Sequence, residues 1–410
     1  MRLHTGSYYW PEVTKFQPQY PSVSEHISCQ CLIVGGGMGG ALCANLLSSQ
    51  GIDTVLVDKR RIGSGSTIAN TGLLQYSSDK TLTSFIRTFG EETAVHFYKL
   101  SLQALVKLQE LSSHLEPNAR LIPRNSLYLA STPEDVDMLQ EEYETLTRFG
   151  FPAEWWGEDD IAARFPFSRP AAIYTQGDAE TNPFAHVHGL IKQASSKYGA
   201  KIFEQSEVNG FQFQEDGVTC QSGKWSIRAK HVIFATGYET QQFKKDQGAS
   251  LTSSFVTVTE PVQNFNDWYQ RCLIWETARP YLYMRTTSDG RIISGGLDEH
   301  LPGGMLEESR YIHQSKKLLD NVHTMFPDKS NLKSEYAWGA VFGGTHDGLP
   351  FIGPHPDYPH CYFLEGYGGN GTVYSMIAAE MITDELTGVN RPDMEIFSLT
   401  RTSKPTPNLS

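Results

Sequence analysis

A chain of 410 residues is too long for one ordinary small domain and long enough to bury two substantial cores. Its 34 Lys and Arg against 46 Asp and Glu leave a net charge of −12 with no basic run, which argues against nucleic acid or an anionic membrane surface as partner. No window approaches the ~20 apolar residues of a membrane span. The N-terminus lacks the apolar segment of a signal peptide. Six scattered cysteines form no CxxC and no zinc-like spacing, so reduced thiols, a cytoplasmic location and no metal site are expected.

In chain order, residues 1–28 read as an ordered arm, on the aromatics and prolines between 8 and 21. Residues 29–34 form a buried apolar strand, 37–50 a helix and 54–57 a second strand, a βαβ unit of ~30 residues. Apolar spacing predicts a helix over 91–115, a strand over 126–130 and a helix over 134–148 started by Pro133. The α/β pattern returns near 178, with a helix over 183–198 and a strand ending at Val208. Short alternating runs at 211–213, 218–220 and 225–227 predict a small meander, closed by the separate strand HVIF. Residues 255–297 are strand-rich, 306–325 helical, and 373–386 a helix ended by Gly388. The tail from 396 to 410 reads as polar and frayed.

The first strand runs into Gly35-x-Gly37-x-x-Gly40. Gly35 permits the tight turn, Gly37 lets backbone approach a pyrophosphate, and Gly40 lets the helix, opened by Met38, pack on the strand. The second strand ends at Asp58, followed by Lys59. A carboxylate there suits ribose hydroxyls and repels a 2′-phosphate. The spacing marks a dinucleotide site and leaves NAD and FAD open.

The segment beyond Asp58 bears on that choice. RRIGSGSTIANTGLLQ, with Ser66, Thr67, Asn70, Thr71, Gly72 and Leu73, resembles the segment that runs along the isoalloxazine in the flavoprotein superfamily of D-amino-acid oxidase, glycine oxidase, sarcosine oxidase and dimethylglycine dehydrogenase. Four further pieces match in order: ETNP opening a helix; Val208, where the family places an adenine contact; Ala235-Thr236-Gly237; and the C-terminal loops. Those loops carry Gly344 and Asp347, then Gly366, Tyr367, Gly368, Gly369, Asn370, Gly371 and Thr372. The SYYWP arm and YMRTT are most similar to bacterial members such as the γ-glutamylputrescine oxidoreductase group.

The resemblance implies an α/β plus α+β fold, in which a Rossmann-like FAD-binding domain (29–85, 176–245, 338–395) is interleaved with a β-sheet-based substrate domain (86–175, 246–337). It implies FAD and oxidation of the C–N bond of a small amine or amino acid by hydride transfer to flavin N5, giving an imine that hydrolyses. Three departures stand out. Ala69 occupies the position of a flavin-linking histidine, so FAD is expected to be non-covalent. Val373 replaces a carboxylate-binding lysine, and Trp338-Gly339-Ala340-Val341-Phe342 carries no arginine.

Arg285 is the remaining candidate clamp, although a structural arginine would look the same. Tyr283, with Tyr281, could wall a substrate pocket, and His346 could orient substrate. His186 and His188, two apart on one helix, make a poor metal pair. The competing readings are a partner-dependent electron-transfer flavoprotein and an NAD-dependent dehydrogenase.

Overall fold

The structure, a computed structural model, describes residues 3–244, 248–300 and 308–401. Two sheets organise the chain. In the eight-stranded sheet, Ile27–Val34 lies between Thr54–Val57 and Trp225–Phe234, both parallel to it. Lys201–Phe203 extends one side; Tyr358–Glu365 and then Phe351–His355 extend the other. Leu32, Ile33, Val55, Leu56 and Val57 are fully buried, as parallel strands covered on both faces require. The helices Met38–Ser49, Pro183–Ser196 and Gly371–Leu386 pack together against it.

The ten-stranded sheet is almost wholly antiparallel. Its order is His4–Ser7, Ser334–Thr345, Ala249–Thr259, Ile292–Glu299, Leu282–Thr286, Leu273–Glu276, Ile122–Leu129, Ala171–Glu180 and Leu73–Leu74, with Ala153–Gly157 also on Ala171–Glu180. The N-terminal arm is thus an edge strand of this sheet. The divisions expected at 176 and 338 fall inside two of its strands, Ala171–Glu180 and Ser334–Thr345.

Several sequence expectations shift. No strand reaches Val208. The third strand ends at Phe203, and the chain bends away where Glu204 accepts the N–H of Ile62 (2.8 Å) and Gln205 takes a positive φ. The meander and HVIF are not separate, since Trp225–Phe234 is one strand paired to Ile27–Val34 over its length. A helix at Leu82–Phe89, capped by Thr81, precedes the long helix Glu91–Ser113. The described part of the next predicted helix is Glu308–Met325; residues 306 and 307 lie outside the described residues. The tail is anchored as far as Arg401, whose guanidinium stacks 3.9 Å from the Phe351 ring and binds Asp347. Residues 402–410 lie outside the described residues.

The helix Pro183–Ser196 buries two histidines. His186 Nδ1–H donates to the Ala119 carbonyl (2.8 Å), and His188 sits edge-on to Phe184. Burial pulls both imidazoles down to about 4. Above the ordinary value of about 6.5 both are neutral whether folded or unfolded. Below it only the unfolded chain takes up protons, so stability falls as pH drops from about 6.5 to about 4. Melting temperatures across this window are expected to fall. His188→Leu should show a smaller fall between pH 7.5 and 5 than the natural chain; an equal fall would show that His188 has no part in it.

Candidate active site

The glycine loop is built by close approach. Gly35 has φ +111°, and a Cβ there would lie 2.4 Å from the Ala235 carbonyl oxygen. A Cβ on Gly40 would lie 1.8 Å from the Gly35 carbonyl oxygen, so the helix packs directly on the turn. Gly37 is the N-cap of Met38–Ser49, with no side-chain cap and no acid in the first turn. Asp58 is fixed by two backbone donors, Gly36 N–H on Oδ2 and Arg60 N–H on Oδ1, both 2.7 Å. Burial raises its carboxyl, and these two N–H groups oppose the rise. Beside it, Lys59 (3.0 Å) and bidentate Arg60 (3.2 and 2.6 Å) pair with Glu239.

A cavity of about 370 Å³ starts here. It is lined at one end by Asp58, Lys59 and Val208, then by Gly35, Gly37, Met38, Ser66, Thr67 and Ala235-Thr236-Gly237, and at the other end by Gly366, Tyr367, Gly371 and Thr372. A second cavity of about 140 Å³ continues it and shares Ser66, Asn70, Tyr238 and Gly371 as walls. Thr71, Leu73, Gly368, Gly369 and Asn370 line this second space, with Tyr281, Tyr283, Trp275 and Asp79. The helix Gly371–Leu386 begins at it, also without a side-chain cap or first-turn acid.

The segment between the cavities is held from behind. Trp338 Nε1–H donates to Ala69 O (2.9 Å), Trp10 Nε1–H to Asn70 O (2.7 Å) and Arg285 Nε–H to Thr71 O (2.8 Å). Asn70 Oδ1 accepts the Gly72 N–H (2.7 Å), which tightens the turn.

Six of the residues predicted for the site line neither cavity. Arg285 is 2% exposed, bonds Thr71 O, Thr181 O (2.7 Å) and Thr286 O, stands 3.4 Å from Glu180, and lines neither cavity. His346 is exposed; its N–H donates to Gly248 O (2.7 Å) and its carbonyl accepts from Lys80. Asp347 is held by Arg401 (2.8 Å) and by the Leu349 N–H. Gly40 serves helix packing. Gly72 makes room for Thr181 O, which a Cβ would meet at 2.2 Å. Gly344 lies in a strand where a Cβ would touch nothing within 4 Å. Val373 is fully buried. Sequence reasoning missed Asp79, Trp275, Ser254 and Tyr238 as walls, because no motif marks them and only the fold of the two sheets assembles them.

The donor set fits a flavin dinucleotide. Two helix N-termini without a capping side chain of their own open on one continuous space, the first with its Met38 N–H on Thr67 Oγ1 (3.2 Å), a carboxylate stands at its far end, and no histidine or cysteine among the described residues lines it. The DAO family profile, FAD dependent oxidoreductase, matches residues 30–385. The chain belongs to this family. It is an FAD-dependent oxidoreductase, and the NAD reading falls away. It is similar to γ-glutamylputrescine oxidoreductase of Escherichia coli (strain K12), 25% identical over 95% of this chain and 90% of the relative. It is similar to glycine oxidase of Bacillus subtilis (strain 168), 22% identical over 91% and 97%. In fold it matches the crystal structure of glycine oxidase from Geobacillus kaustophilus, with TM-score 0.77, 20% identity and coverage of 92% and 99%. No described helix is long and apolar enough to cross a membrane.

Two substitutions test this geometry. Gly40→Ala puts a methyl into the Gly35 carbonyl; it should cost about 3 kcal/mol and yield protein depleted in flavin, read from the visible-to-ultraviolet absorbance ratio. Arg285→Ala removes the donor to the Thr71 and Thr181 carbonyls and leaves Glu180 with Arg124 (3.0 Å), and should cost about 3 kcal/mol in thermal denaturation of the holoenzyme. Unchanged stability together with a raised KM would instead mark Arg285 as a substrate clamp.

Proposed function

We propose that the chain oxidises the C–N bond of a small amine, bound in the 140 Å³ cavity, with FAD held non-covalently along the 370 Å³ one. The observation that carries this reading is the shared wall of Ser66, Asn70, Tyr238 and Gly371, which sets a dinucleotide-sized space against a substrate-sized one. FAD supplies the acceptor for a hydride from the substrate carbon, and the imine so produced is released to water.

The chain's own residues bind, orient and exclude water. The free N–H groups of the turn at Gly37 and the first helical turn would receive the pyrophosphate, Asp58 would accept from ribose hydroxyls, and Val208 would border the adenine. Ser66 to Leu73, held by Trp10, Trp338 and Arg285, would flank the ring system, and Gly366 to Thr372 would close its other side. Asn370 donates its amide to the Ser77 carbonyl, which ties that loop to the segment carrying Asp79. Tyr283 walls the substrate space with Tyr281 and Trp275. Burial pushes the Tyr283 phenol well up, so it stays protonated as a donor. The six buried thiols, none in a disulfide, support a cytoplasmic place of work.

The test is anaerobic mixing of the holoenzyme with a panel of amines and amino acids. At least one should bleach the flavin and yield the corresponding carbonyl product. A flavin that none reduces, yet dithionite does, would return the chain to the electron-transfer reading.

A further inference from the structure

The smaller cavity has an unusual charge pattern for a site that would hold an amino acid. Among the described residues lining it, Asp79 is the one charged side chain; no lysine, arginine or histidine reaches it. Asp79 Oδ2 accepts the Gly369 N–H (3.1 Å), so the carboxylate is fixed beside the loop at the junction of the two cavities. A second carboxylate stands one layer back. Asp298, on the strand Ile292–Glu299, ends toward the wall residue Ser254, and its Oδ1 has no hydrogen-bond partner among the described residues. Burial raises both carboxyls, that of Asp298 to about 6.

Aromatic faces complete the enclosure. Tyr238, Trp275, Tyr281 and Tyr283 line the same space, with Tyr281 and Tyr283 ring centroids 5.9 Å apart and Trp275 stacked 3.7 Å from Tyr128 behind it. Rings of this kind attract a desolvated cation. The Arg279 guanidinium is exposed and lies outside this wall, 5.0 Å from the Tyr281 ring, and its charge favours the ionised form of Asp79. Its Nη1 is spent on the carbonyls of Glu276, Thr277 and Ala278, and its Nη2 on that of Asp79 (3.4 Å). A carboxylate entering the cavity would face Asp79, with Arg279 acting on that charge only from outside the wall, whereas an ammonium would meet a carboxylate and ring faces.

Resting on the proposed function, we infer that the part of the substrate entering this cavity carries an ammonium and no carboxylate, and that Asp79 is the residue that selects it. The substrate class is alkyl amines and diamines, not α-amino acids.

Two probes decide it on the holoenzyme: n-butylammonium and butyrate, titrated against the visible flavin spectrum without turnover. Butylammonium should perturb the spectrum and butyrate should not. Asp79→Asn keeps an acceptor for Gly369 and should weaken butylammonium at least tenfold while leaving neutral butyramide binding unchanged. Butyrate binding as tightly as butylammonium, or an Asp79→Asn variant that weakens butylammonium and butyramide alike, would overturn the inference. In the reductive assay, glycine bleaching the flavin faster than n-butylamine would sink this inference and leave the oxidoreductase reading standing; failure of every compound would sink that reading instead.

Discussion

Three consecutive carbonyls, those of Ala69, Asn70 and Thr71, each accept a hydrogen bond from a different buried side chain, and the site depends on this arrangement. The donors are Trp338 on a strand beside the sheet edge, Trp10 in the N-terminal arm and Arg285 on a central strand. Unpaired carbonyls at this depth would each cost about 1–3 kcal/mol. Paired, they fix an irregular segment where a flat ring system needs a straight wall. The N-terminal arm is thereby part of the site, since Trp10 and the strand His4–Ser7 are both laid on the large sheet. Arg285 supports the wall without lining either cavity: it ties Thr71 to Thr181 and Glu180 behind it.

The parallel unit was legible in the sequence because its constraints are local. Gly35, Gly37, Gly40 and Asp58 are fixed by steric approach and by one strand-helix-strand turn, so spacing alone reveals them. The strand Thr54–Val57 falls where its apolar run predicts. The C-terminal loop Gly366 to Thr372 was legible through family resemblance, and it lies against both cavities.

What sequence reasoning could not reach is non-local. Arg285 shares a strand with Tyr283, yet the two differ in fate. Tyr283 opens on the cavity, while Arg285 is claimed by carbonyls more than a hundred residues away. His346 and Asp347 sit in a glycine-rich loop of the expected kind, but Arg401 and Gly248 draw that loop toward the C-terminal segment. Asp79 carries no motif and acquires its place only because Gly369, nearly three hundred residues later, donates to it. Charge in the substrate space is therefore a property of the assembled walls.

The proposal that two continuous cavities hold the flavin by shape and hydrogen bonds alone is open to a direct test. The most direct measurement is the visible absorption of the purified chain, repeated on the supernatant after acid precipitation. Flavin absorbance should pass wholly to the supernatant. Colour that stays with the precipitated protein would show a covalent link and contradict the reading of Ala69 and of a cavity wall without histidine or cysteine among the described residues.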